Sequence, residues 1–366
     1  MQTSPKVAII YLSFHCEPYM PDVISALRRL TYPRDCVEFV IVDNPHPEHG
    51  SSVAYINQTV MPRSGREIPH VTLLAQEKNL GFSGGNNEGI KWALSHGYDY
   101  VYFHNSDAYM EPNCLEPLVD AMEHDSTIGV AQSLLLLHPE TDIVNSTGNL
   151  YHYLGFGYCG DYRANIKILQ LPSIKDISYA SGAAVMMRCD LLRDFGLWDD
   201  DFFMYHEDLE YSFRIKVAGY RVVMIRDSVM YHKYAFSRSI QKYYWMERNR
   251  FAVLLVFFQY KTLLLLAPML CVLEIGLFLF AVRGGWWREK LRVYVYWLHP
   301  TNWKLWLSKR RSMKMISKLR DRDLLANAVT GIFFQETAME SPILKYIGNP
   351  VMKWYYKMII HPLVRW

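Results

Sequence analysis

KVAIIYLSFHCEPYMPDVISALRRLTYPRDCVEFVIVD, residues 6–43, decides the fold. Two continuous apolar runs of strand length, 6–13 and 37–43, enclose Val23, Ile24, Leu27 and Leu30 at helical spacing, which makes a β-α-β unit. VTLLA (71–75) and DYVYFH (99–104) continue the alternation, with helical segments expected near 51–61 and 86–95. The expected class is α/β with a mostly parallel, doubly wound sheet. Ligands of such sheets sit beyond the carboxyl ends of the strands. Asp43 falls at one such end and Asn105-Ser106-Asp107 at another.

Between those ends lies NLGFSGGNNEG, residues 79–89. Gly81, Gly84 and Gly85 permit close backbone approach, and a helix starting near Asn86 would offer free N–H groups, a combination suited to a diphosphate. The plainer reading is a turn followed by a helix cap. The motif is neither GxGxxG nor GxxxxGK[ST], and it follows the third strand rather than the first, which argues against a dinucleotide-binding oxidoreductase and a P-loop enzyme. Asn105-Ser106-Asp107 reads either as an Asx turn before a helix near Pro112 or as the seat of a hard divalent cation. Such a cation bridging two phosphates needs only one or two protein carboxylates, and Asp107 is the candidate.

Further along, WDDDFFMYHEDLEYSFR (198–214) holds carboxylates beside a hydrophobic wall. Helix-entry acids that complement the dipole of a helix over about 209–217 are one reading. The other is a carboxylate partly shielded from water, with Asp208 as candidate general base and Glu207 beside it. ISYASGAAVMMR (177–188) reads as a strand whose small residues, Ser181 to Ala184, form a floor beneath an acceptor. YRVVMIRD (220–227) is a further strand that delivers His232. A lone histidine is commonly a structural donor, but its place just past a strand end also fits a metal ligand.

With 366 residues, 51% hydrophobic and 20% charged, the chain is long and apolar enough for two domains with real cores. Six cysteines without a CxxC pair fit a reducing compartment. No basic-then-apolar leader is read at the start, so the N-terminal region is expected in the cytoplasm. The net charge of +3 conceals a division: residues 283–366 carry 16 Lys+Arg against 5 Asp+Glu, and residues 1–282 carry 23 against 31. The basic part is rich in Trp and Tyr and follows a greasy segment, so an anionic membrane surface is the expected partner rather than nucleic acid. Residues 262–282 are long enough to span, yet they contain Pro268 and Glu274 and have basic residues on both flanks. The expectation is monotopic or re-entrant attachment; one transmembrane helix and a buried soluble hairpin are the alternatives. The domains are expected at 1–245 and, helical and membrane-associating, at 246–366.

Asp43, the NLGFSGGNN loop, Asn105-Ser106-Asp107, FFMYHED and His232, in this order, resemble the family 2 inverting glycosyltransferases of the GT-A fold, most similarly the rhamnosyltransferase and galactofuranosyltransferase branch. The resemblance runs over roughly residues 6–260. It implies that Asp43 contacts a nucleotide base and that Asn79, Gly81, Phe82, Gly85 and Asn86, with Asn105 and Asp107, lie along a nucleotide-sugar. It implies that Asp107 and His232 bind Mn²⁺ or Mg²⁺, and that Asp208, next to Glu207, deprotonates an acceptor hydroxyl. Trp198, Gly182 and Tyr205 are expected on the acceptor side. The implied activity is inverting transfer of one sugar from a dTDP- or UDP-linked donor to a lipid-linked or glycan acceptor at the cytoplasmic face of the cell membrane. A homo-oligomer is left open. The alternative is a catalytically silent, membrane-bound sugar-nucleotide sensor or scaffold on the same fold. The chain departs from the family pattern at Pro45-His46-Pro47 after Asp43, at Ser106 where the metal turn commonly has Pro, and at Glu210 where Asp is frequent.

Overall fold

The computed structural model describes residues 4–234, 243–332 and 342–366, and the chain forms two compact units. Met1–Asn149, Cys159–Ile215 and Tyr220–Tyr234 make the first. It opens with β1 (Val7–Ser13), α1 (Met20–Arg28), β2 (Val37–Asp43), α2 (Val53–Thr59), β3 (His70–Ala75), α3 (Gly81–Ser95) and β4 (Tyr100–His104). These four strands are parallel in the order β3-β2-β1-β4, with Ser13 level with Asp43 and Tyr11 level with His104. Alternate residues feed two cores: Ile9, Tyr11, Phe39 and Ile41 enter one, while Ala8, Ile10, Val40 and Val42 enter the other against Ile90 and Ala93 of α3. A strand buried on both faces has to be apolar throughout, and each fully buried Val or Ile stabilises by about 1.5–3 kcal/mol.

The rest of the sheet departs from the parallel expectation. After β5 (Ala108–Met110), α4 (Glu116–His124), β6 (Ile128–Leu137) and β7 (Val144–Ser146), the strands β8 (Asn149–Tyr151) and β9 (Gly157–Cys159) stand outside it. β10 (Ile174–Asp176), β11 (Ala184–Arg188), α5 (Cys189–Phe195), α6 (Glu207–Val217) and β12 (Arg221–His232) complete the set. β11 lies between β4 and β6 and is antiparallel to both, and only β12 with β6 restores a parallel pair. The sheet is therefore mixed. The chain returns to β11 from the carboxyl-end side of the sheet with no crossover helix to reverse it, so it runs back antiparallel. Ser181–Ala183 consequently stays irregular at that end, while β12 runs on past 227 to His232 itself.

The second unit gathers Leu150–Tyr158, Lys216–Gly219 and Ala235–Trp366. The two short excursions from earlier in the chain have no counterpart in a single boundary at 245/246. Its helices include α7 (Tyr243–Phe257), α8 (Tyr260–Arg283), α9 (Trp287–Leu298) and α10 (Pro300–Ile316). Among the described residues, α8 alone is long and apolar enough to cross a membrane.

Candidate active site

Asp43 ends β2 with no solvent exposure. Its carboxylate accepts the Ser13 hydroxyl at 2.7 Å, the Ser51 hydroxyl at 2.6 Å and the Ser52 N–H at 3.3 Å. It thus fixes the loops beyond β1 and β2. Asn44, which the sequence reading passed over as a site residue, donates to the Gly81 carbonyl at 2.8 Å and receives the Leu80 N–H at 3.4 Å.

The Gly-rich loop is built differently from the expectation. α3 starts at Gly81, so Asn86 lies inside the helix, nearly buried, with its amide on the Phe82 carbonyl at 2.9 Å. Asn79 receives the Gly81 N–H at 2.8 Å, and the carbonyl of Phe203 receives those of Phe82 at 2.7 Å and Ser83 at 3.2 Å. The N–H groups of Phe82 and Ser83 are thus taken by a residue more than a hundred positions downstream, and no open N-terminus is offered at Asn86. Gly81 is required twice over. Its φ is +76°, and a Cβ there would come within 2.5 Å of Phe203. Gly85 lies against Leu12 and Asn44. Asn87 ties the loop to the acidic stretch, donating to the Trp198 carbonyl at 2.7 Å and Asp200 at 2.6 Å while receiving the Trp198 N–H at 3.1 Å.

The acidic stretch is strained where it turns. Phe203, Tyr205 and His206 have φ of 61°, 65° and 66°, left-handed values that cost a non-glycine residue about 1–3 kcal/mol and persist only where surroundings enforce them. Here buried Phe202 and the doubly used Phe203 carbonyl enforce them. The turn delivers Glu207 and Asp208 to the start of α6. Glu210 is spent structurally, paired with Arg214, which also donates to the Leu197 carbonyl at 2.7 Å. Trp198 is 2% exposed and packs on Phe82 at 5.6 Å and Phe103 at 4.9 Å. A Cβ on Gly182 would lie 2.9 Å from that indole, so Trp198 supports the floor from beneath.

The floor itself is pinned on every side. Ala180 N–H bonds Ser212 at 3.1 Å, Ser181 N–H bonds the buried Gln132 at 2.7 Å, and Gly182 N–H bonds Asp208 Oδ2 at 3.2 Å. Asp208 Oδ1 accepts the Leu209 N–H at 2.8 Å, and the residue is half-buried. Burial raises its pKa to about 6, while the N–H groups of Gly182 and Leu209 hold it from going higher. Glu207 is almost wholly buried, with Oε2 unpartnered, and burial together with the Asp208 charge drives its pKa well above the carboxylate range. Of the pair, Asp208 is therefore the easier to ionise.

From the same floor the Ala183 carbonyl receives the Asn105 N–H at 3.0 Å, which links Asp208 to the turn after β4. Asp107 Oδ1 and His232 Nε2 lie 3.1 Å apart, and the Asn105 amide reaches them at 2.7 and 3.1 Å. Asn145 on β7, which sequence reasoning missed, accepts from His232 Nδ1 at 2.9 Å. That bond leaves the Nε2 lone pair facing Asp107. A separation of 3.1 Å matches neighbouring ligands of one six-coordinate ion, about 3 Å for bonds near 2.1 Å. The donor set fits Mg²⁺ or Mn²⁺. Among the described residues no cluster of three His, Cys, Asp or Glu side chains forms, so phosphate oxygens and water would complete such a shell.

The fold and site are of a glycosyltransferase type, and the profile of Glycosyl transferase family 2 matches residues 8–196, just over half of the chain. The chain belongs to that family. It is 27% identical over 219 residues to the low-salt glycan biosynthesis hexosyltransferase Agl10 of Haloferax volcanii, covering 57% of this chain and 61% of that one. To the N-acetylglucosaminyl-diphospho-decaprenol L-rhamnosyltransferase of Mycobacterium tuberculosis it is 26% identical over 187 residues, covering 46% and 61%. The matches thus span about three fifths of these relatives' length. Among solved structures, that of GalNAc-T7 with UDP, GalNAc and Mn²⁺ superposes with a TM-score of 0.55 at 12% identity, covering 71% of this chain and 49% of that one. That likeness shows the fold alone.

Proposed function

We propose that this glycosyltransferase moves a single hexose, rhamnose-like or another, from a dTDP- or UDP-linked donor to a lipid-linked or polysaccharide acceptor at the cytoplasmic membrane face, inverting the anomeric centre. The observation that carries the reading is the shared frame at Ser181–Ala183, which holds Asp208 through the Gly182 N–H and the Asp107 turn through the Ala183 carbonyl. A general base and a cation-binding pair tied to one loop are what displacement of a nucleoside diphosphate by a hydroxyl requires. Asp208 accepts the hydroxyl proton as the new bond forms, and the N–H groups already on its oxygens fix its orientation. Glu207 beside it, its pKa driven up by burial and the Asp208 charge, holds its proton the more tightly of the two. Asp107 and His232 would hold Mn²⁺ or Mg²⁺, which supplies positive charge against the departing diphosphate.

The relatives in Haloferax volcanii and Mycobacterium tuberculosis support hexosyl and rhamnosyl transfer as the reaction class. The strained turn at Phe203, Tyr205 and His206, just before Asp208, favours an enzyme over a silent sensor, since a sensor has no use for a costly conformation next to that residue. The test is a panel of UDP-, dTDP- and GDP-sugars with Mn²⁺, read by thermal shift and by transfer to polyprenyl-diphosphate-linked acceptors, with the anomeric configuration of the product assigned by NMR. Inverted product from one donor is the expected result. Tight nucleotide-sugar binding without transfer to any acceptor would replace this reading with the sensor.

A further inference from the structure

We infer that α8 is an in-plane membrane seat: its outward stripe lies flat in one leaflet of an anionic bilayer without crossing it. This rests on the reading of a transferase that works at a membrane face. Leu264, Val272, Ile275, Leu279 and Val282 recur at helical spacing along α8 and are 75%, 61%, 65%, 63% and 51% exposed. An exposed apolar row over most of a 24-residue helix, about 36 Å long at 1.5 Å per residue, is far larger than a soluble surface leaves bare. The opposite side faces protein, with Leu266, Met269 and Ala281 buried.

Glu274 decides the orientation. It turns inward, paired with Arg250 of α7 and with Lys290 of α9 at 2.7 Å, and it accepts the Tyr294 hydroxyl at 2.9 Å. Glu247 of α7 completes the group, pairing with Arg250 at 3.0 Å and with Lys290, and neither basic side chain has any exposure. Two acids therefore neutralise two bases within one buried cluster. Glu274 lies near the middle of α8, so a crossing α8 would carry its partners to the bilayer centre. There, Arg292 of α9, whose side chain is 66% exposed, would meet hydrocarbon. Lying flat, the same arrangement leaves the stripe at the acyl boundary and the arginine among headgroups.

Charge selects the occupant. The only charges of α8 besides Glu274 are Lys261 and Arg283, one near each end, and α9 with α10 carry eight Lys+Arg against one Glu. Lys290 and Arg310 are buried, and anionic lipid attracts the other six, whereas a second copy docked face to face would bring like charges together. A second amphipathic run follows at 342–363. Tyr346, Trp354 and Met358 there are 72%, 58% and 59% exposed, and Tyr355 bonds the Leu265 carbonyl of α8 at 2.7 Å.

The full chain tests this with vesicles of phosphatidylcholine, with and without phosphatidylglycerol. Cys271 is exposed on α8 and serves as one reporter site; Leu264→Cys and Leu279→Cys in a Cys271→Ser background supply two more. With an environment-sensitive dye at each, lipids spin-labelled at a shallow position are expected to quench all three alike, within about twofold, and better than deep-labelled lipids. Ile275→Glu is expected to weaken vesicle binding about tenfold or more, with transfer to a water-soluble acceptor unchanged. Deep quenching at 271 flanked by shallow quenching at 264 and 279 means a crossing helix, which overturns the flat seat and leaves membrane action standing. No vesicle binding, with concentration-dependent dimerisation instead, overturns both.

Discussion

The carboxylate of Asp208 and the backbone N–H of Gly182 meet at 3.2 Å, joining residues 26 positions apart that come from the start of α6 and the loop before β11. The contact orients the proposed base and limits the rise of its pKa. Asp208→Asn keeps the volume and the acceptor of the Gly182 N–H but removes the proton acceptor. Turnover is expected to fall more than about a hundredfold with donor affinity nearly unchanged. Steady-state kinetics and nucleotide titration on one preparation check this; near-normal turnover would move the base elsewhere.

The raised pKa sets a pH profile. With Asp208 near 6, kcat/KM is expected to rise with pH through about 6 and then level off. Stability has the opposite slope, because the fold binds this proton more tightly than the unfolded chain does: the stabilisation is full below the ordinary carboxylate value and is lost as pH rises through 6. Asp208→Asn is therefore expected to raise Tm relative to the parent protein at pH 8 and to change it less at pH 5. Calorimetry at the two pH values decides, and a larger gain at pH 5 would contradict the assignment.

Glu207 tests the division of labour within the pair. Because burial and the Asp208 charge favour its neutral form, Glu207→Gln mimics that form, and activity at pH 7 is expected to stay within about threefold of the parent. A loss as deep as that of Asp208→Asn would make Glu207 the ionised partner.

What could be read in the chain before any coordinates was what periodicity encodes. Val7–Ser13 and Val37–Asp43 pair as expected because strands buried on both faces are apolar along most of their length. The direction of β11 was not legible, since ISYASGAAVMMR carries the same pattern whichever way it runs. Asp107 and His232, 125 positions apart, were expected in one shell from strand-end logic and the family resemblance, and they meet. Asn145, which orients His232, is an ordinary polar residue in a three-residue strand and carries no local signal. The start of α3 was misread because its cap is a backbone carbonyl, that of Phe203, and any residue type supplies one.

The Asn145–His232 bond gives the proposed metal pair a test. Asp107→Ala and His232→Ala are both expected to raise the metal concentration for half-maximal rate, and Asn145→Ala to raise it about tenfold by releasing the imidazole. Rate against Mn²⁺ concentration measures all three. Full activity of the parent in excess EDTA would remove the ion from the reaction.

Glu274 supplies a stability prediction that is independent of the chemistry. Glu274→Gln keeps the shape and one acceptor but leaves Arg250 and Lys290, both without exposure, facing Glu247 alone, so an uncompensated positive charge stays buried. Removing one partner of a buried ion pair typically costs about 3–5 kcal/mol, whereas an exposed pair is worth about 0–1 kcal/mol. The larger figure is expected for the transition of the helical unit in urea. Lys290→Met in the same background removes the surplus charge and is expected to recover part of the loss, because one acid then faces one base again. If Glu274→Gln alone costs less than about 1 kcal/mol, water reaches the cluster and the four charges do not hold α7, α8 and α9 together.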